Sequence, residues 1–431
     1  MNTSSPRDVA QDLLSFIDAS PTPFHATSTA ATRLEAAGFS ALREDARWSL
    51  APGDRRYVVR NGSTILAFVV GSRGPADAGF AIIGAHTDSP NLRVKPNADL
   101  LAQGYREVGV EIYGGVLLST WTDRDLGLAG RAFVRGADGV VSSRLVLIRR
   151  PIARVAQLAI HLDREVNERG LILNKETHMR PLWSLDQNRG FGAWLAGELG
   201  VAEADVLSFD LMFFDTLAPA FGGAGEEFLF SARLDNLASC HAALEALIAA
   251  AAKPDERTRL IALYDNEEIG SATVQGAGGS MLGDVMARIV AAGDPHPEAL
   301  ARAKARSFLV SADMAHAIHP NYADKHEGQH QPRLNQGPVL KLNANARYAS
   351  DGESMAVFAS YCKDVGVLPQ RFVMRADMPC GSTIGPIVST REGIKAVDIG
   401  NPMLSMHSCR EMAGAADQAA MLRVLSRFFG I

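Results

Sequence analysis

The chain has 431 residues, of which 47% are hydrophobic and 21% are charged, and its formal net charge at pH 7 is -5. This length and composition are typical of a globular protein with two or three domains. The sequence contains no lysine- and arginine-rich run that would follow a phosphate backbone, and no apolar stretch of the ~20 residues that a membrane span needs, so we expect no nucleic-acid partner and no membrane partner.

Two amphipathic helices and a β-hairpin are predicted at the start of the chain. Ser5 is expected to cap the first helix, and the second helix stops at Gly38. The Asn-Gly pair at 61–62, between two β-prone runs, is typical of a two-residue hairpin turn. Residues 80–84 then predict a short buried strand.

Residues 93–234 differ from the flanking segments in their sequence pattern. Short β-prone runs alternate with glycines, and the Gly-Ala-Asp-Gly segment at 136–139 is typical of a hairpin tip. This region is therefore predicted to form an antiparallel, β-rich unit of its own.

After this region, strands and helices alternate again. Helices are predicted over 236–252 and 351–364. The predicted strands are 259–264, 308–311, 372–375 and 395–399. Such alternation favours a mostly parallel sheet covered by helices on both faces. The sequence therefore predicts an α/β domain made of residues 1–92 and 235–431, interrupted by the β-rich insert.

Polar clusters follow the predicted strands of the α/β domain. They contain His86 and Asp88, Asp235, Glu267 and Glu268, Asp313, and His407. In an open α/β sheet, ligands gather beyond the carboxyl ends of the strands. Two histidines and several carboxylates, delivered there by separate strands, would make a site of nitrogen and oxygen ligands for divalent metal ions.

The number of candidate ligands suits two ions, which together can bind the attacking oxygen and the substrate carbonyl. His86, Asp235 and Asp313 could hold one ion or bridge to the other. Glu268 and His407 could complete the second. A bridging carboxylate such as Asp235 would offset the mutual repulsion of the ions.

Two carboxylates are expected to act beside the ions. Asp88 can accept the second ring N–H of His86, which fixes the tautomer of the ring and raises its basicity. In the Glu267-Glu268 pair, one carboxylate can bind metal while the other moves a proton from the attacking water to the leaving amine. We assign Glu268 to the metal and Glu267 to proton transfer, although the spacing alone leaves these two roles interchangeable.

In this order, the motifs resemble the M18 family of metallopeptidases, the aspartyl aminopeptidase group, over almost the whole chain. They include Ser-Pro-Thr-Pro-Phe-His at 20–25, Gly-Ala-His-Thr-Asp-Ser-Pro at 84–90, Arg-Leu-Asp-Asn at 233–236, Asp-Asn-Glu-Glu-Ile-Gly at 265–270, Ser-Ala-Asp-Met-Ala-His-Ala at 311–317, Pro-Cys-Gly-Ser-Thr-Ile-Gly-Pro at 379–386 and Met-His-Ser-Cys-Arg-Glu at 406–411. The resemblance implies an aminopeptidase with two divalent ions, Zn²⁺ or else Co²⁺ or Mn²⁺. The implied metal ligands are His86, Asp235 (bridging), Glu268, Asp313 and His407. Glu267 is the implied catalytic base, and Asp88 the residue that orients the first histidine.

The resemblance also implies a fold and an assembly. The implied fold is a zinc-peptidase-like mixed sheet sandwiched by helices and interrupted by a β-rich dimerisation domain, residues 93–234 in this chain. Dimers are expected to build a homo-dodecamer with its active sites facing an interior chamber. His161 matches a histidine that reaches the active site of a neighbouring subunit, where it would steady the substrate carbonyl or the tetrahedral oxyanion.

Peptides are the expected substrates, and the resemblance implies a preference for Asp or Glu as the first residue. Lys341 and Tyr348 match positions linked to the side-chain pocket, where Lys341 would act as a point charge on a carboxylate. Gly381 is expected to shape the floor of the site through its backbone. A neutral or basic preference and a related co-catalytic amidohydrolase, such as a deacylase, are alternatives. The complete ligand set with Glu267 argues against a non-catalytic assembly or cargo protein.

The cysteines indicate a reducing compartment. The chain has only Cys240, Cys362, Cys380 and Cys409. They form no CxxC pair, and the first residues lack the pattern of a signal peptide. We therefore expect a cytoplasmic protein.

Overall fold

The computed structural model describes residues 5–431, with eleven helices and twenty strands numbered in chain order. The helices are α1 (Pro6–Ala19), α2 (Pro23–Ala36), α3 (Pro75–Ala78), α4 (Val166–Arg169), α5 (Phe191–Leu199), α6 (Leu234–Ala251), α7 (Met281–Gly293), α8 (Ala299–Ala305), α9 (Gly352–Asp364), α10 (Ile384–Glu392) and α11 (Asp417–Phe428). The strands are β1 (Ser40–Ala41), β2 (Arg55–Arg60), β3 (Thr64–Val69), β4 (Phe80–His86), β5 (Asn91–Ala102), β6 (Tyr105–Tyr113), β7 (Leu126–Arg135), β8 (Val141–Ala153), β9 (Leu182–Ser184), β10 (Val206–Asp215), β11 (Ala220–Gly222), β12 (Phe228–Ser231), β13 (Thr258–Tyr264), β14 (Phe308–Ala312), β15 (Ala315–His316), β16 (Val339–Leu342), β17 (Gln370–Val373), β18 (Lys395–Gly400), β19 (Pro402–Leu404) and β20 (Glu411–Gly414). Within residues 5–431, every helix is too short or too polar to cross a bilayer.

The chain forms two compact units. Among the described residues, the first contains 5–88, Pro219–Met406 and Glu411–Ile431, and the second contains Ser89–Ala218 with His407–Arg410. The second unit covers most of the predicted β-rich insert. The last part of that insert joins the first unit instead, because β11 and β12 pair into a five-stranded sheet with β20, β19 and β15.

The first unit is built on a nine-stranded sheet in the order β1-β2-β3-β13-β4-β14-β18-β16-β17. Its central strands β13, β4, β14 and β18 are parallel to one another. The sheet as a whole is mixed, because β3 pairs antiparallel with both β2 and β13, and β16 pairs antiparallel with β18. The predicted hairpin at 61–62 is the β2–β3 turn, in which Asn61 has a φ of 51°.

Helices cover both faces of this sheet, because neighbouring side chains of its buried strands point to opposite cores. Ile83 of β4 and Ile261 of β13 belong to a core built with α1, α2, α6, α9 and α11. Ile82 and Leu260, one position earlier in each strand, belong to a second core built with α3, α7, α8 and α10. The predicted α/β class, a mixed sheet sandwiched by helices, is confirmed.

The second unit is a six-stranded sheet in the order β8-β7-β10-β5-β6-β9, and all its paired strands are antiparallel. One face of this sheet carries a core of its own, to which Leu128 of β7 and Phe213 of β10 contribute. Phe191 and Trp194 of α5 pack into the same core. The predicted antiparallel, β-rich character of this region is confirmed.

Arg259 is expected to stabilise the first unit strongly, because it caps two helices from inside the core. It is 2% exposed, and its guanidinium donates to the backbone oxygens of Ala250 and Lys253 at the end of α6, at 2.8 and 2.5 Å. It also donates to the oxygen of Phe429 after α11, at 3.3 Å. Arg259→Met should lower the free energy of unfolding by about 3 kcal/mol, since these carbonyls would lose their donors.

A thermal melt tests this prediction. Arg371→Met is the matched control, because Arg371 is an exposed arginine on β17. The Arg259 variant should melt several degrees below the Arg371 variant. Equal melting temperatures would mean that the guanidinium contributes nothing to stability.

Candidate metal centre

The carboxyl ends of three neighbouring parallel strands bring polar residues to one edge of the first unit's sheet. Strand β4 ends at His86, which lies opposite Tyr264, the last residue of β13. The Glu267-Glu268 turn follows β13 within three residues. Asp313 directly follows β14, which pairs with β4 on its other side. Because these strands are parallel, their terminal segments leave the sheet at the same edge.

His86 lies at the centre of this cluster and is 1% exposed. Its Nε2 atom lies 3.4 Å from Oδ1 of Asp235, 3.4 Å from Oδ1 of Asp313 and 4.0 Å from Oε2 of Glu267. Its Nδ1 atom lies 3.0 Å from the backbone oxygen of Asp88. A carbonyl oxygen only accepts, so Nδ1 carries a proton, and Nε2 is the ring nitrogen that faces the carboxylates.

Asp88 is fully buried and connects β4 to the Glu267-Glu268 turn. Its Oδ1 accepts the N–H of Glu267 and its Oδ2 accepts the N–H of Glu268, both at 3.1 Å. The ring of His86 is 3.4 Å from Oδ1 and closer to the carbonyl oxygen of Asp88. The backbone of Asp88 therefore orients the histidine, while its carboxylate holds the two glutamates, a second task that the sequence did not indicate.

Asp235 is held by residues to which the sequence assigned no individual role. Its N–H donates to Oε2 of the buried Glu411 at 3.1 Å. The next residue, Asn236, donates from Nδ2 to the oxygen of Ala312 at 2.8 Å, and the peptide bond between Asp235 and Asn236 is cis. One turn into α6, the thiol of Cys240 donates to the oxygen of His86 at 2.9 Å. Asn236 and Glu411 stand in the motifs at 233–236 and 406–411, whereas Cys240 stands in neither.

Burial and like charge disfavour ionisation of the two glutamates. Burial raises the pKa of Glu267 to about 8; His86 acts against this, and the nearby carboxylates Asp313, Asp88 and Asp235 add to it. Burial, and then Asp235, raise the pKa of Glu268 well above its usual value.

For His86, in contrast to the two glutamates, the surrounding charges favour the charged form of the side chain. Burial alone lowers the pKa of His86, but its contacts with the carboxylates of Asp235, Asp313 and Asp88 reverse this and raise the pKa well above its ordinary value. The carboxylates around this imidazole therefore favour a positive charge at Nε2.

The donor set fits divalent cations. His86 with Asp235 and Asp313 forms one group whose ligand atoms all lie within 4.8 Å of one another, and His86 with Glu267 and Glu268 forms another. An imidazole nitrogen with several carboxylate oxygens is a ligand set typical of zinc and related ions. A cation among these oxygens would offset both the repulsion of the carboxylates and their loss of hydration.

Another acid–histidine cluster of the first unit has a different explanation. Asp12, His241 and Glu245 also lie close together. The guanidinium of Arg33 donates to Asp12 at 2.7 Å and to Glu245 at 2.8 Å. An arginine already supplies the positive charge there, so this cluster is an ion-pair network between α1, α2 and α6.

Two predicted site residues belong to the second unit. His407 has a φ of 67°, and its Nδ1 lies 3.0 Å from the oxygen of Gly115, so its ring is also fixed with Nε2 as the acceptor nitrogen. His161 lies in an exposed turn of the 154–181 connection. Its chain neighbours Ile160 and Leu162 are 46% and 75% exposed.

The predicted pocket residues Lys341 and Tyr348 are both buried in the first unit. The ammonium of Lys341 donates to the oxygen of Met314 at 2.8 Å and lies 3.4 Å from Oδ2 of Asp313. It also lies 5.4 Å from the centre of the Tyr348 ring. Gly381 is exposed, and a side chain at that position would meet no atom within 4 Å. Lys341 therefore already neutralises part of the acidic cluster.

A cavity of about 260 Å³ lies beside these residues, between the segment after β15 and the end of β19. Its apolar lining includes Phe372 and Met403, and its polar lining includes His316, His319, Lys325 and His326. Nδ1 of His319 accepts a backbone N–H, and so does Nε2 of His326. The opposite nitrogen of each of these rings is therefore a donor. None of the lining side chains, all from the described part of the chain, is acidic.

The comparisons with known proteins agree with one another. Residues 16–429 match the family described as Aminopeptidase I zinc metalloprotease (M18). The chain is 47% identical over 430 residues to a probable M18 family aminopeptidase 2 of Ectopseudomonas mendocina, and the match covers 98% of both chains.

Solved structures show the same similarity. A chain in the cryo-electron microscopy structure of an Ape4 and Nbr1 complex is 40% identical, with a TM-score of 0.95 over 98% of this chain and 85% of that one. A subunit of the S. cerevesiae mApe1 dodecamer is 30% identical, with a TM-score of 0.87 over 98% of this chain and 96% of that one.

Proposed function

The chain belongs to the M18 family of zinc metalloproteases and is an aminopeptidase, and we propose that it removes acidic first residues from peptides at a two-metal centre around His86. One observation carries the two-metal part of this proposal. Buried carboxylates converge on the imidazole of His86, whose Nε2 lies 3.4 Å from two of them. Such a cluster of buried acids requires cations to be stable at neutral pH.

The residues proposed to hold the two ions are the five of the family pattern. They are His86, Asp235, Glu268, Asp313 and His407. Bound ions would polarise the scissile carbonyl and lower the pKa of the attacking water. Both histidines support this assignment, because a backbone oxygen holds Nδ1 of each ring and leaves Nε2 as the ligating nitrogen.

Glu267 is proposed to move the proton. Burial raises the pKa of Glu267 in the metal-free protein, and cations bound beside it would favour the ionised carboxylate, which can take a proton from water and return it to the leaving amine. The backbone bond from Glu267 to Asp88 holds the turn, so the side chain itself can face the reacting atoms. Glu268, held by the other oxygen of Asp88, remains available for the metal.

The preference for Asp or Glu is supported by the cavity more than by Lys341. Lys341 is already engaged by Asp313 and by the oxygen of Met314. The cavity offers N–H donors from His319 and His326, with no acid in its lining. It also offers the ammonium of Lys325, which lies 3.5 Å from the exposed carboxylate of Asp324. A carboxylate-bearing side chain of a few carbons matches this donor-rich, partly apolar space.

A panel of aminoacyl-naphthylamides tests the function and the preference separately. We expect kcat/KM for Asp and Glu to exceed that for Lys by about 10²-fold, because the donors of the cavity reject a cation. N-acetylated Asp-naphthylamide should resist cleavage, which separates an aminopeptidase from a deacylase. Activity that survives complete removal of metal would contradict the two-metal centre, whereas fast cleavage of Lys or Leu alone would contradict only the acidic pocket.

The proposed assembly is a homo-dodecamer built from dimers, in which His161 completes the site of a neighbouring subunit. The similarity to a subunit of the mApe1 dodecamer supports the assembly. The exposed apolar side chains beside His161 support a contact at this turn, since exposed leucine and isoleucine in one loop are typical of interfaces. Light scattering of the native protein measures the mass.

His161→Ala is expected to lower kcat by about 10²-fold, the effect of losing one oxyanion donor. Co-expression with Glu267→Gln subunits should restore part of the activity, because some mixed sites would then contain both intact residues. His178→Ala, an exposed histidine of the same unit, is the control and should remain active. Mixed oligomers without any recovered activity would mean that His161 acts only within its own subunit.

The proposal includes a cytoplasmic location. None of the four cysteines, all within the described residues, forms a disulfide, and three of them are buried. A protein of an oxidising compartment would be expected to pair at least some of them.

A further inference from the structure

Asp398 is a buried acid that has no role in the proposed reaction. It lies in β18 and is 0% exposed, between Val397 and Ile399 of the core. A carboxylate in the middle of a sheet is unfavourable unless its oxygens are hydrogen-bonded. Its partners therefore indicate why an acid occupies this position.

Both carboxylate oxygens of Asp398 bind loops that lie beyond the sheet. Oδ1 accepts the hydroxyl of Thr383 at 2.6 Å, and Oδ2 accepts the N–H of Ala349 at 2.6 Å. The backbone N–H of Asp398 donates to the hydroxyl of Ser350 at 2.8 Å. Thr383 in turn caps α10. One acid thus joins a helix start to a loop 34 residues earlier in the chain, the interval between Ala349 and Thr383.

These two loops, residues 343–350 and 374–383, are called the pocket loops. Tyr348 is on the first, and Met374 and Met378 of the second line the cavity. The loops also bind each other directly. Arg347 donates from Nε to the oxygen of Cys380 at 3.1 Å, and Ser382 donates to the oxygen of Arg347 at 3.1 Å.

The surrounding residues leave room for the carboxylate of Asp398 and stabilise its negative charge. A Cβ atom at Gly385 would lie 2.3 Å from Oδ2 of Asp398, so only glycine fits at position 385 in the first turn of α10. Burial raises the pKa of Asp398, while the ammonium of Lys341 and the hydroxyls of Ser311 and Thr383 act against that rise. The acid is therefore packed as part of the base of the pocket loops.

We propose that Asp398 is a positioning residue for substrate specificity, because its two hydrogen bonds set the spacing of the pocket loops around the first side chain of the peptide. This inference rests on the proposed function for what the pocket binds. It predicts that loosening the loops weakens substrate binding, while the chemistry at Glu267 continues at its normal rate once substrate is bound.

Four variants separate hydrogen bonding from charge. Asp398→Ala removes both bonds and Thr383→Val removes one, so each should raise KM for the naphthylamide that the wild type cleaves fastest about 10-fold and leave kcat within threefold. Thr383→Ser keeps the hydroxyl and should restore KM to within twofold. Asp398→Asn can still accept from Ala349 and donate to the hydroxyl of Thr383, so its KM should stay close to that of Thr383→Ser.

Asp417→Ala is the matched structural control. Asp417 is 1% exposed, and its oxygens accept the N–H groups of Asn335 and Gly337 at 2.6 and 2.9 Å, outside the pocket loops. It should lower the melting temperature as Asp398→Ala does, with KM unchanged. The proposal is overturned if Asp398→Ala and Thr383→Val also leave KM within twofold, or if they lower kcat instead.

The outcome can be told apart from failure of the proposed function. KM is measured with whichever first residue the wild-type enzyme cleaves fastest, so a wild type that prefers leucine would reject the acidic pocket and still test Asp398. A wild type whose turnover resists chelation would reject the two-metal centre, and the response of KM to Thr383→Val would still be measured.

Discussion

Glu267→Gln is expected to lower kcat by about 10³-fold and to leave KM within threefold. Glutamine has nearly the same shape but cannot accept the proton of the attacking water. The bond from the backbone of Glu267 to Asp88 does not depend on the side chain, so the turn should remain in place. Steady-state kinetics with the preferred naphthylamide measure the effect.

Metal analysis is the control that separates the two glutamates. Glu267→Gln should bind as much metal as the wild type, whereas Glu268→Gln should bind less, since Glu268 is proposed as a ligand. The reverse pattern would exchange the two roles, which the sequence alone left interchangeable. Near-normal turnover in Glu267→Gln would remove the residue from the mechanism.

The polar residues around His86 could be predicted to lie together because their positions at the ends of strands follow from a local sequence pattern. Strands β4 and β13 are short apolar runs, each followed directly by polar residues, and their parallel pairing places His86 opposite Tyr264. Any parallel arrangement of such strands brings the residues after them to one edge. The polar clusters were therefore visible before the strand order was known.

The hydrogen bonds that hold these polar residues in place could not be predicted in the same way. Glu411 binds the backbone of Asp235 across 176 residues, and no periodic pattern connects them. The carboxylate of Asp88 turned out to hold two backbone N–H groups, because the turn after β13 leaves these donors without helical partners.

Two further features depend on tertiary pairing. A lysine near the end of a short strand is usually expected at the surface. The ammonium of Lys341 instead contacts Asp313 and Met314. The end of the predicted insert joined the other unit because β12 pairs with β20, a pairing between segments 183 residues apart, from Phe228 to Glu411. Such long-range pairing depends on the whole fold and has no local signature.

Asp235→Asn is expected to abolish most of the activity, by about 10³-fold, and at the same time to stabilise the metal-free protein. Asp235 is a main cause, after burial, of the raised pKa of Glu268, and it also contributes to that of Glu267. Neutralising it removes one anion from a crowded buried cluster, so the chelated variant should unfold at a higher temperature than the chelated wild type. Adding zinc should stabilise the wild type far more than the variant.

The pH dependence of the metal-free wild type follows from the same charges. The pKa of Glu267 is about 8 in the folded state against 4.5 for a free glutamate, so the folded protein binds more protons between these values. The stability of the chelated wild type should therefore fall as the pH rises from about 4.5 to 8. Asp235→Asn should show a shallower fall, because its glutamates repel one carboxylate fewer.

Glu392→Gln provides the contrast that makes the Asp235 result specific. Glu392 is also a buried carboxylate, but Lys304 neutralises it at 2.7 Å. Removing its charge leaves the partly buried ammonium of Lys304 without its partner and should lower the melting temperature. Opposite shifts in the two variants, both measured in chelator, would mean that the acids around His86 lack a protein cation of sufficient charge and that metal ions supply it. A lower melting temperature for chelated Asp235→Asn would mean that the protein alone already satisfies this carboxylate.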